Sequence, residues 1–103
     1  MNDKPTRLTS GFLYVPVGAA RDKDLLKKPK AILLLGEIVS ILNATGEYTA
    51  GNKQIAKMLD TSPRAVKEYL SLLEKKKLIK RENVDSVGRK IHAGADLSKY
   101  LLY

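Results

Sequence analysis

The triplet Ser62-Pro63-Arg64 constrains this chain more than any other feature. A serine hydroxyl can accept a free amide of a first helical turn, and proline at the next position has a fixed φ and no amide to leave unpaired. A helix therefore starts here. It lies inside the run YTAGNKQIAKMLDTSPRAVKEYLSLLEKKKLIKR, residues 48–81. The run reads as a short helix, a tight turn, a second helix and then a basic strand. Asn52 is expected to cap the first helix, Lys53 to Leu59, with Ile55, Ala56 and Leu59 inward. Asp60-Thr61-Ser62 is the turn. The second helix reaches about Lys76, with Val66, Leu70 and Leu73 as its inward stripe and Ala65, Tyr69 and Leu72 at the border.

The flanking segments are read in the same way. Residues 1–10 have no apolar period and are expected to form a flexible arm, leaving residues 11–103 as a single domain. Phe12 to Val17 has β-favouring residues, but Pro16 confines it to an edge or an extended arm. Gly18 to Asp24 is expected to be a connection. A helix runs from about Pro29 to Asn43, with Ile32, Leu35, Ile38, Val39 and Leu42 at helical spacing and Gly46 as its stop. Leu33, Leu34 and Ile41 make it apolar on more than one face, so its own core, the arm or a second subunit must cover it. Tyr48 to Gly51 suits a short strand. Leu78–Val84 and Arg89–Ala93 are two further strands, joined by a turn in which Gly88 supplies positive φ. The C-terminal LSKYLLY is apolar enough to require packing on the body or a partner.

Charge narrows the function. The chain has 103 residues, a formal net charge of +8 and a pI near 9.8. Residues 53–90 hold eleven Lys/Arg against five acids, and residues 23–31 hold four lysines against Asp24. Residues 32–52 carry only Glu37 and Glu47. Cationic groups concentrated in this way favour a polyanionic partner. There is no cysteine, which excludes disulfides, thiolate metal sites and a cysteine nucleophile. No apolar run approaches the roughly 18 residues of a membrane span, and the N-terminus lacks a signal-peptide core. A soluble, cytoplasmic protein with no membrane partner is expected. One histidine, few acids and no Gly-rich phosphate loop argue against an enzyme, and no cofactor or metal is expected. His92 is read as a strand residue. Lys75-Lys76-Lys77 is read as a helix C-terminus favoured by the helix dipole.

The second helix is the candidate binding element. A helix fits the DNA major groove, with its first turns nearest the base edges. Its outward set is Ser62, Arg64, Lys67, Glu68 and Ser71. Arg64 and Lys67 suit a guanine edge or a phosphate. Thr61 and Ser62 suit phosphate contacts at a helix N-terminus. Asn52 and Lys53 are placed to hold the backbone. Lys80, Arg81, Arg89 and Lys90 of the hairpin complete the candidate DNA-binding residues.

Gln54-Ile-Ala-Lys-Met-Leu59, Thr61-Ser62, Val66, Leu70, Leu73-Glu74 and Leu78-Ile79 resemble a winged helix-turn-helix domain. The fold so implied is α+β, mostly α: a three-helix core with a C-terminal β-hairpin wing. Phe12, Val15-Pro16, Leu35-Gly-Glu-Ile38, Gly46, Tyr48 and Gly51-Asn52 extend the likeness to the N-terminal DNA-binding domains of replication proteins from phages and plasmids of Gram-positive bacteria. Winged helices usually carry Gly in the turn where this chain has Asp60, a residue that tolerates the left-handed region. Those replication proteins also carry a further domain. The expectation is a sequence-specific double-stranded DNA-binding accessory protein of a mobile element, marking an origin of replication or of conjugative transfer. The partners implied are duplex DNA, a second copy of the chain, and a relaxase or replication protein of the same element. A transcriptional repressor with the same contacts is the first alternative, and a winged-helix protein-interaction module the second.

Overall fold

The structure is a computed structural model that describes residues 15–84 and 88–101. It is α+β and mostly helical. A 3-10 turn, Ala19–Arg21, leads into α1 (Lys23–Leu26), α2 (Pro29–Thr45), α3 (Asn52–Leu59) and α4 (Pro63–Lys75). The hairpin β1 (Ile79–Val84) and β2 (Gly88–Ala93) follows, then α5 (Leu97–Leu101). The expected arm at residues 1–10, Phe12 to Tyr14, residues 85–87 of the expected turn Asp85 to Gly88, and the last two residues of the C-terminal segment, 102–103, lie outside the described residues.

The helix boundaries follow from local chemistry. The Ser62 hydroxyl accepts the Ala65 amide at 3.1 Å, and Pro63 occupies the first helical position of α4. Gly46 ends α2 at φ 88°, its amide donating to the Leu42 carbonyl at 2.8 Å. Asp60 ends α3 at φ 55°, ψ 56°, the left-handed conformation that the turn requires.

The buried cluster draws on all of these elements. Leu34, Leu35, Ile38 and Val39 of α2 meet Ile55 and Ala56 of α3, Val66, Leu70 and Leu73 of α4, and Ile79 and Ile91 of the hairpin. Leu25 of α1 and Leu97 of α5 close it at the edges. The apolar breadth of α2 is thus explained within one chain, because α1, α3, α4 and β2 all pack on it. Leu33 is left 44% exposed. Within the C-terminal LSKYLLY the part up to Tyr100 packs on the body: the Gly18 amide donates to the Tyr100 carbonyl at 2.8 Å, and Leu97 and Tyr100 pack with the core.

Four local expectations are corrected. Asn52 does not cap α3; Gly51 does, and Asn52 is the first helical residue. Its side chain is drawn instead to a residue 37 positions away, described below. Tyr48 to Gly51 forms only an isolated antiparallel bridge, Tyr48 to Ile91, rather than a strand. Gly18 to Asp24 is not a plain connection. It contains the 3-10 turn and the start of α1, whose cap is the Asp22 carboxylate accepting the Asp24 and Leu25 amides. Gly88, expected in the hairpin turn, is the first residue of β2, paired with Val84; Val15 to Val17 forms no edge strand, which leaves the extended-arm alternative. Lys77 also takes positive φ, 62°, where α4 turns into β1. Gly94 packs so tightly on the Lys77 carbonyl that a Cβ would overlap it.

Candidate nucleic-acid interface

The exposed face of α4 carries the expected set. Ser62, Arg64, Lys67, Glu68 and Ser71 are all exposed, and Thr61 in the preceding turn is half-buried. Arg64 and Lys67 make no ion pair with any described residue. Beside them lies a shallow depression of about 460 Å³, lined by Lys28, Arg64, Lys67, Glu68 and Ser71. Lys28 comes from the link between α1 and α2, and sequence reading did not assign it to this face. The cluster of lysines at 23–30 was the available signal, but nothing local says which helix it flanks.

The start of α2 is held against the α3–α4 turn. Lys30 Nζ donates to the Asp60 carbonyl at 2.7 Å. This contact brings the positive end of α2 and the first turn of α4 to the same side of the molecule.

The hairpin splits its cations between two faces. Side chains alternate along a strand, and the register pairs Lys80 with His92, Arg81 with Ile91 and Glu82 with Lys90. Ile79, Arg81, Arg89 and Ile91 therefore share the body-facing side, and Lys80, Glu82, Lys90 and His92 share the other. Arg81 is occupied: its Nε donates to Glu74 Oε1 at 2.9 Å. That bond holds the Glu74 carboxyl below its usual range. Lys90 pairs with Glu47 at 3.1 Å, and His92 Nε2 lies 3.0 Å from Glu82 Oε1. Lys80 is exposed.

Arg89 is occupied more fully. Its Nη1 donates to Asn52 Oδ1 and its Nη2 to the Ala50 carbonyl, both at 2.7 Å. Its Nε is buried without a hydrogen bond. Burial, then the nearby Arg81 charge, lowers its pKa from the ordinary arginine value.

Thr61 and Ser62 sit at the α3–α4 turn, the Ser62 hydroxyl accepting the Ala65 amide, and the structure separates the other candidate residues into three groups. Arg64, Lys67, Glu68 and Ser71 converge, with Lys28 added. Lys53 and Lys80 stand exposed on other elements. Asn52, Arg81, Arg89 and Lys90 are engaged by other groups of the protein. Among the described residues no group of three or more His, Cys, Asp or Glu could hold a metal ion, and no helix is long and apolar enough to cross a membrane.

No family model, curated protein or solved structure matches the chain. The fold itself defines a mostly helical α+β protein with a two-stranded antiparallel sheet.

Proposed function

We propose that this protein is a winged helix-turn-helix protein that binds double-stranded DNA, with α4 in the major groove and the hairpin as the wing. The observation that carries this reading is the exposed face of α4, where Arg64 and Lys67 stand beside Lys28 without an ion pair to any described residue. Lys76 and Lys90, by contrast, are paired with acids of the same chain. Cations left unmatched on one helix suit a partner that supplies the anions.

The geometry agrees with that partner. At 1.5 Å per residue the 13 residues of α4 span about 20 Å, and a major groove roughly 12 Å wide admits a helix of this kind. Arg64, in the first turn, is positioned for a base edge or a phosphate. Lys67 and Ser71 follow on the same face. Lys28 flanks them as a phosphate contact.

The biological setting we propose is that of an accessory protein of a plasmid or phage, marking an origin of replication or transfer for a relaxase or replication protein. It rests on the sequence resemblance to plasmid and phage replication proteins. A repressor would use the same contacts, and its sites would overlap promoters. Selection from a pool of random duplexes, followed by anisotropy titration of the enriched sequence, tests the reading. One enriched motif bound more tightly than bulk duplex is expected. Absence of binding to any duplex at low salt would refute it and favour a protein-interaction module.

A further inference from the structure

Arg89 was expected to touch DNA, yet its surroundings assign it another task. Among the described residues, polar contacts attach the hairpin to the rest of the protein at four places, one of them the Lys90–Glu47 pair. Arg81 joins β1 to Glu74 of α4. The Tyr48–Ile91 bridge joins β2 to the segment before α3 through backbone bonds of 3.2 and 2.8 Å. Arg89 spans from β2 to that same segment and to the first residue of α3, through Ala50 and Asn52. Arginine suits this span because its planar fork presents two donors in a fixed geometry. Lysine has the charge but not the fork.

We infer that Arg89 is a positioning residue: its fork braces the hairpin against the start of α3 and so sets where Lys80 and Lys90 stand relative to the exposed face of α4. Both terminal nitrogens are already engaged, and Nε is enclosed. Each terminal nitrogen spends one of its two N–H groups on a neutral partner at 2.7 Å, so turning the fork toward a phosphate would break the brace. Burial, and after it the Arg81 charge, disfavours the charged form; a cation held half-buried needs hydrogen-bond partners, and Asn52 and Ala50 supply two. The brace itself needs no assumption about ligand; its effect on DNA rests on the proposed function.

The test compares wild type with Arg89→Lys, Arg89→Ala and Asn52→Ala in the full chain. Without DNA, amide exchange is followed at Tyr48 and Ile91, the bridge beside the brace. Loss of a charged hydrogen bond should speed exchange there about tenfold or more in both Arg89→Lys and Asn52→Ala. Arg89→Lys keeps the charge, so a role in attracting phosphate would leave it close to wild type, whereas a brace predicts that it resembles Arg89→Ala. With DNA, the brace predicts weaker binding to every duplex, with the same change in salt slope in Asn52→Ala, which keeps the arginine, as in Arg89→Ala. The double change Asn52→Ala, Arg89→Ala should then be no worse than the more damaging single one. The inference is overturned if exchange at Ile91 stays at the wild-type rate in Arg89→Lys and Asn52→Ala. It is equally overturned if Arg89→Ala lowers the salt slope by about 0.9, the signature of one lost phosphate contact, while Asn52→Ala leaves the slope at the wild-type value. Should Arg89→Ala fail to fold, Asn52→Ala reads the same brace with the arginine retained. If wild type binds no duplex, the DNA reading falls and the exchange measurements still decide the brace.

Discussion

Lys30 Nζ sits 2.7 Å from the carbonyl oxygen of Asp60, the residue that ends α3 in the left-handed conformation. The contact places a cation at the negative end of the α3 dipole and pins the tight turn to α2. It also draws Lys28, two residues earlier, to the side where α4 begins. The turn is therefore held by a residue 30 positions away as well as by its own backbone.

That arrangement makes the turn sensitive to side-chain shape. Asp60→Val should destabilise the fold by about 1–2 kcal/mol, since a β-branched residue fits the left-handed region poorly. Asp60→Gly should stay within roughly 1 kcal/mol of wild type. Urea denaturation of the two variants checks the difference, and equal midpoints would refute the argument.

On the exposed face of α4, Arg64→Ala and Lys67→Ala should each weaken binding to the selected duplex by about 1–3 kcal/mol if the lost contact is a base edge. Both should leave thermal stability close to wild type, because neither side chain is buried. Lys28→Ala and Lys80→Ala should instead weaken binding to all sequences alike and lower the salt slope by about one each. Titrations at several salt concentrations separate the two classes.

A cluster at the far end of α4 should make stability depend on acidity. Lys76 Nζ lies 3.0 Å from Asp22 and 2.9 Å from Asp24, and the Tyr100 hydroxyl donates to Asp22 at 2.5 Å. Burial alone would raise the Asp22 pKa. The hydrogen bonds from Tyr100, Leu25 and Lys76 outweigh it and leave the group below its usual value. A depressed carboxyl pKa means that its stabilisation is complete above the unfolded value, about 4, and fades as pH falls through the folded one. Asp22→Asn should thus be less stable than wild type at pH 7, and the gap should close on acidification below about pH 4. Tyr100 behaves in the opposite sense: its bond to Asp22 raises its pKa, so that contribution is present at neutral pH and lost in strong base. Chemical denaturation across pH, with Tyr100→Phe as a partner variant, measures both.

Gly94→Ala should destabilise by about 1–3 kcal/mol, because the added carbon would meet the Lys77 backbone where α4 turns into β1. Gly46→Ala tests a different cause. Nothing crowds that position, so any loss there comes from the φ of 88° alone.

The sequence by itself determined the features that depend on near neighbours. Ser62-Pro63 starts α4, Gly46 ends α2, Asp60 makes the turn, and the spacing of Val66, Leu70 and Leu73 defines the buried stripe. Each is settled within a few residues by backbone conformation, capping or helical period. Only the tertiary structure decided which cations remain available. Arg64 and Arg89 look alike in the sequence, yet Arg64 stands exposed while Arg89 is drawn to Asn52 and Ala50. Lys28 joins the exposed face of α4 and Lys76 is taken up by Asp22 and Asp24. The same long-range pull takes Asn52 from its expected role as a cap. Hydrogen bonds across 30 to 78 residues have no local signature, because they exist only once the chain has brought distant segments together.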